Sequence, residues 1–105
     1  MLQIYKKRCA VSGCDVAEAI DAAHVQGIGN EGGDSLDNGI LLRADLHRLF
    51  DRGLLAINPD DGVVHFSKCC KSAYFDLHGK AVKLPSNGPS RKAFSARWVQ
   101  FSERL

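Results

Sequence analysis

The sequence predicts a small α+β domain, and three stretches predict it. Ala19-Ile20-Asp21-Ala22-Ala23-His24-Val25 runs largely apolar with no helix start signal, so it reads as a strand. The residues from about Asp45 to Arg52 read as a brief helix, because Leu46, Leu49 and Phe50 recur at helical spacing, Asp45 stands at the N-cap and Gly53 at the C′ position that tolerates a left-handed backbone. Leu54-Leu55-Ala56-Ile57 and Val63-Val64-His65-Phe66-Ser67 flank the turn Asn58-Pro59-Asp60-Asp61-Gly62, which makes a hairpin. At 105 residues the chain fits one domain, 1–105, with a core at 9–67 and a basic extension at 68–105.

The remaining elements fall in order around these. Residues 1–8 read as a short helix or extended lead-in carrying the basic cluster Lys6-Lys7-Arg8. Cys9 and Cys14 bracket a tight turn at Ser12-Gly13, and Val16 to Ile20 reads as strand or short helix entering the His24 strand. A polar loop with Gly27, Gly29, Gly32 and Gly33 precedes the short apolar run Ile40-Leu41-Leu42. In the hairpin, Leu55, Ile57, Val64 and Phe66 face the helix, and His65 alternates to the exposed side as a bystander. Tyr74 to Gly79 reads as a helical turn ended by its glycine, Lys80 to Leu84 as a short strand, and Pro85-Ser86-Asn87-Gly88-Pro89 as a loop. Ser90 then caps a final helix, Arg91 to Arg104, with Phe94, Trp98 and Phe101 on its core face and Arg91, Lys92, Arg97 and Arg104 facing out.

The net charge of +2 hides an asymmetry. Residues 1–67 carry six Lys/Arg against ten Asp/Glu, a net −4, and residues 68–105 carry eight against two, a net +6. An acidic front suits a metal site and a basic back suits a phosphate backbone, although ordinary solvated surface charge gives the same composition. No apolar run is long enough to span a bilayer, and the basic start lacks a following apolar segment, so the expectation is a cytoplasmic protein with no membrane partner. The chain begins almost directly at its motif, as a domain cut from a longer protein would. Four cysteines in such a chain argue for metal or free thiols before disulfides. Cys9 and Cys14 read equally well as thiolates of a structural zinc and as small buried packing residues. Cys69 and Cys70 are adjacent, which disfavours both ligating one ion.

His47 and Asp51 stand at i and i+4, one above the other on a helix face, where an imidazole and a carboxylate can share one divalent ion. A strand packed against that helix would bring His24 close without making it a ligand. Singly, His24 reads as a satisfied histidine, Asn38-Gly39 as a turn, and His47 with Asp51 as a local pair. Their joint order supplies a base, a positioning amide and a metal site, the parts needed to hydrolyse a phosphodiester.

Those residues resemble the HNH endonucleases, the ββα-metal (His-Me finger) nucleases, and specifically the bacterial branch with the pattern C-x-x-T/S-G-C, A-A-H-I, N-G-L-L-L and D-x-H-x-L-F-D-x-G. The chain carries Cys9-Ala10-Val11-Ser12-Gly13-Cys14, Ala22-Ala23-His24-Val25, Asn38-Gly39-Ile40-Leu41-Leu42 and Asp45-Leu46-His47-Arg48-Leu49-Phe50-Asp51-Arg52-Gly53 in that order. The resemblance implies a ββα-metal core, here with an added β-hairpin and a C-terminal helix. It implies His24 as general base, Asn38 as the residue that orients it, and His47 as a catalytic metal ligand, on one divalent ion: Mg²⁺ foremost, with Mn²⁺, Ni²⁺ or Zn²⁺ as alternatives. Many members carry Asp or His just before the catalytic histidine as a further ligand, and here that residue is Ala23. Asp51, then Asp21, then Asp45 rank as its replacements, with water as the other source.

The partner implied is DNA, contacted through Lys6, Lys7, Arg8, Arg48, Arg91, Lys92 and Arg97. The chain has no base-reading motif, which leaves specificity to a further domain or partner subunit, and a homodimer is compatible with it. The leading expectation is therefore a metal-dependent DNA endonuclease, of the kind that serves restriction or defence systems. The alternative is a non-catalytic nucleic-acid-binding module on the same fold, favoured by Ala23. A structural zinc module mediating protein contacts is a third reading.

Overall fold

The computed structural model describes residues 3–26 and 38–103. The glycine-rich loop expected at Gly27, Gly29, Gly32 and Gly33, and Arg104 at the end of the expected last helix, lie outside these residues.

Strand β1, Ile20–His24, pairs antiparallel with β2, Gly39–Arg43, in the register Asp21 to Leu42, Ala23 to Ile40 and His24 to Gly39. Ile40, Leu41 and Leu42 are all buried, so β2 is covered on both faces. The N-terminal segment provides part of that cover: the Tyr5 hydroxyl donates to the Gly39 carbonyl at 2.7 Å, and Ala10 N–H donates to the Leu41 carbonyl at 2.8 Å. Burial pushes the Tyr5 phenol well above its usual range and keeps it a donor. The turn from Cys9 to Cys14 closes through Gly13 at φ +76°, and none of the four cysteines is in a disulfide, with Cys9 buried in the core.

Helix α1, Ala44–Asp51, follows β2 without a linking residue. Asp45 does not cap it. The helix starts one residue earlier, and Asp45 is instead bound to the Arg43 guanidinium at 2.7 Å and to the Tyr74 hydroxyl at 2.8 Å. Arg43 beside it holds the Asp45 carboxyl below the usual range. Gly53 does end the helix, at φ +73°, and Leu54 N–H reaches back to the Leu49 carbonyl at 2.9 Å.

Strands β3, Leu55–Ile57, and β4, Val64–Phe66, form the second antiparallel hairpin. Its turn uses Asn58 Oδ1 as acceptor for Asp60 N–H and Gly62 at φ +70°. Lys80 to Leu84 is not a strand. It makes only an isolated bridge, Ala81 to Val63, and ties Lys83 N–H to the Ala10 carbonyl at 3.0 Å. The last element is a 3-10 turn, Arg91–Phe94, running into α2, Ser95–Ser102, and Ser90 makes no side-chain cap bond. Phe94 and Phe101 are buried, and Phe94 meets Phe50 of α1 at 6.3 Å between ring centroids. The expected small α+β architecture is present, with two hairpins and a C-terminal helix. Among the described residues no helix is long and apolar enough to cross a membrane.

His65 is not the exposed bystander its alternation suggested. Its ring is half-buried, edge-on to Trp98 at 5.0 Å and to His78 at 5.3 Å. His78 Nδ1 accepts the Phe66 N–H at 3.0 Å, which requires that nitrogen unprotonated. Burial, Lys71 and His65 together lower the His78 pKa below 6.5. The unfolded chain therefore takes up that proton more readily, and acid favours unfolding. The urea midpoint should fall as pH drops through 6.5 and below. The loss should be smaller in His78→Gln, whose amide oxygen can accept the same N–H. An equal loss in both proteins would remove His78 from the cause.

Candidate active site

The first strand and first helix are brought together by chain connectivity. Because β2 runs straight into α1, the strand paired with β2 lies beside the helix that follows it. Asp21 and Ala23 share one face of β1. Ala23 is buried, and Asp21 reaches His47 on α1.

His47 stands between two carboxylates. Its Nδ1 lies 3.0 Å from Asp21 Oδ2 and its Nε2 lies 3.0 Å from Asp51 Oδ2. The structure thus unites Asp21, His47 and Asp51, with the imidazole side chain about a quarter exposed (27%) and the carboxylates about half (45% and 52%). These residues, with Arg48, Asp45 and Arg52, line one open cleft.

The three donors do not converge on one point. The two ring nitrogens point to different sides of the imidazole, so Asp21 and Asp51 flank it. Among the described residues no group of three or more His, Cys, Asp or Glu is placed to hold an ion. A neutral imidazole has one N–H and one lone pair. If Nδ1 donates to Asp21, the Nε2 lone pair faces a carboxylate oxygen, and only a positive charge between them makes that contact favourable. Two donors at right angles on one divalent ion, each ~2.1 Å from it, stand ~3.0 Å apart. The 3.0 Å between His47 Nε2 and Asp51 Oδ2 fits that spacing. The donor chemistry, one nitrogen and one hard oxygen with water able to complete the shell, fits a divalent ion held by this pair.

His24 closes β1 opposite Gly39, half-buried. Asn38 lies directly before β2 and is 2% exposed. Its Oδ1 accepts Gln26 N–H at 2.8 Å, its Nδ2 donates to the Gln26 carbonyl at 3.0 Å, and its own carbonyl accepts Val25 N–H at 2.9 Å. The side-chain amide therefore grips Gln26, and the Asn38 main-chain carbonyl holds Val25, the two residues that follow His24.

Arg97 departs most from the sequence reading. It does not face out. From α2 its Nε donates to the Val25 carbonyl at 2.6 Å, Nη1 to the Phe50 carbonyl at 2.9 Å, and Nη2 to the His24 carbonyl at 2.9 Å, with Asp51 Oδ1 at 3.4 Å. The guanidinium carbon also sits 4.1 Å from the centroid of the Phe50 ring. Burial lowers its pKa, against the opposing pull of Asp51. A signal existed: Phe94, Arg97, Trp98 and Phe101 follow the i, i+3, i+4, i+7 spacing of a buried stripe. Lys6, Lys7, Arg8, Arg48, Arg91 and Lys92 are exposed.

Residues 9–58 match the family model described as HNH endonuclease. The chain is also similar to a solved structure titled "Modification dependent TagI restriction endonuclease", with 24% sequence identity and a TM-score of 0.69, over 94% of this chain and 35% of that chain. That likeness is one of fold, and the chain spans 35% of its neighbour. No curated protein matches the chain. The family match supports a nuclease, a hydrolase acting on phosphodiester bonds.

Proposed function

We propose, with residues 9–58 as an HNH endonuclease segment, that this protein is a metal-dependent DNA endonuclease and the cutting module of a restriction or defence system. The observation that carries the reading is His47 held between Asp21 and Asp51, on the helix that packs beside the His24 strand. His47 Nε2 and Asp51 are the residues to hold one divalent ion, Mg²⁺ by preference, with Asp21 fixing the ring through Nδ1 as carboxylates do behind ligating histidines. Bound there, the ion would supply positive charge to the phosphoryl oxygens and the leaving 3′ oxygen.

The chain's own residues do the rest. The His24 imidazole takes a proton from a water molecule as that oxygen bonds to phosphorus. The bond from phosphorus to the 3′ oxygen breaks, and its electron pair leaves on that oxygen, which then takes a proton from solvent. Asn38 holds the main chain after His24, and so holds the base in orientation. Lys6, Lys7, Arg8, Arg91 and Lys92 meet the phosphate backbone, and Arg48 does so beside the cleft. Specificity comes from a further domain or partner, in keeping with a fold neighbour nearly three times longer.

A second reading, a binding module without catalysis, rests on Ala23, an apolar residue 1% exposed where many relatives place a ligand. One experiment separates the two. Plasmid nicking should appear with Mg²⁺ or Mn²⁺ and vanish in EDTA, and His47→Ala should lose both nicking and calorimetric metal binding. Metal binding with no nicking under any ion would favour the binding module.

A further inference from the structure

We propose that Arg97 is a positioning residue for the active site, one guanidinium that locks the strand carrying the base to the helix carrying the metal pair. The inference rests on the nuclease reading above and adds a part from outside the family segment, which ends at residue 58.

The contacts divide between the two elements. The His24 and Val25 carbonyls belong to the end of β1 and the residue after it. The Phe50 carbonyl and the Asp51 carboxylate belong to the last turn of α1. A cation at that end also satisfies a helix carbonyl and the negative end of the helix dipole. Asp51 is flanked on both sides, Oδ1 lying 3.4 Å from Arg97 Nη2 and Oδ2 lying 3.0 Å from His47 Nε2. Arg97 therefore constrains where the proposed ligand oxygen points and where the His24 main chain sits. Only a planar fork with five donors reaches all four acceptors, and the Phe50 ring beneath fixes its plane. Lysine keeps the charge but has a single nitrogen.

The test uses the whole chain carrying Arg97→Lys or Arg97→Gln, with folding checked by circular dichroism. In the folded variants kcat for nicking should fall on the order of 10²-fold, while KM for DNA and its salt dependence stay as in the wild type. Independently of activity, the imidazole ¹⁵N shifts of both His24 and His47 should move. A lower Tm with unchanged kcat and unmoved shifts would overturn the proposal in favour of a role in the fold alone, as would failure of both variants to fold. A change confined to KM and its salt slope would overturn it in favour of a phosphate contact. If the wild type cuts nothing, the nuclease reading falls, and the imidazole shifts alone decide whether Arg97 couples strand and helix.

Discussion

His24→Ala is expected to fold, to bind metal as the wild type does, and to nick DNA slower by about 10²–10⁴-fold, the usual worth of a positioned general base. The reasoning is local. His24 is half-buried and ends a strand, and what Arg97 and β2 use there is its main chain, which alanine keeps. His47 and Asp51, the pair proposed to hold the metal, lie on α1. The variant thus separates the two functions of the site, whereas His47→Ala removes both. Single-turnover nicking at saturating DNA, with calorimetric titration of the ion, provides the measurement. A His24→Ala rate within a factor of a few of the wild type would end the base assignment while leaving the metal pair intact.

The largest effect on stability is expected from Phe50→Ala, a loss of about 3–5 kcal/mol in urea unfolding. Phe50 is 1% exposed on α1, it meets Phe94, and its ring supports the Arg97 guanidinium. Truncation removes its packing and leaves a cavity, and it also leaves a half-buried cation without its aromatic floor. Small domains hold only about 5–15 kcal/mol in total, so this loss takes a large share. Val99→Ala on the exposed side of α2 is the control, expected within about 0.5 kcal/mol of the wild type. A Phe50→Ala loss under about 1 kcal/mol would mean that the junction between α1 and α2 contributes little to stability.

Much of this molecule was legible because its signals are short-range. The His47 and Asp51 spacing places both on one helix face whatever surrounds them. Gly53, Gly62 and Gly79 mark chain reversals through positive φ, a property of each residue and its neighbours. The resemblance to the HNH pattern joined His24, Asn38 and His47 into one expectation. The errors have the same origin seen from the other side. Asp45 has good capping chemistry, but the packing of Tyr74 and the adjacent Arg43 claimed its carboxylate. His65 alternates away from the hairpin's core face, as strand periodicity requires, yet Trp98 and His78 come back to cover it.

The sequence by itself determined the α+β class, the hairpin of β3 and β4, the helix carrying His47 and Asp51, and the kind of chemistry those residues suit. Only the tertiary structure decided that Asp21 is the second partner of His47, that the three donors flank rather than converge, and that Arg97 turns inward. The reason is distance along the chain: Arg97 and Val25 are 72 positions apart. Local propensity is fixed within a few residues. A guanidinium's choice between solvent and four acceptors depends on where the folded chain places those acceptors, and they come together only once β1, α1 and α2 have packed.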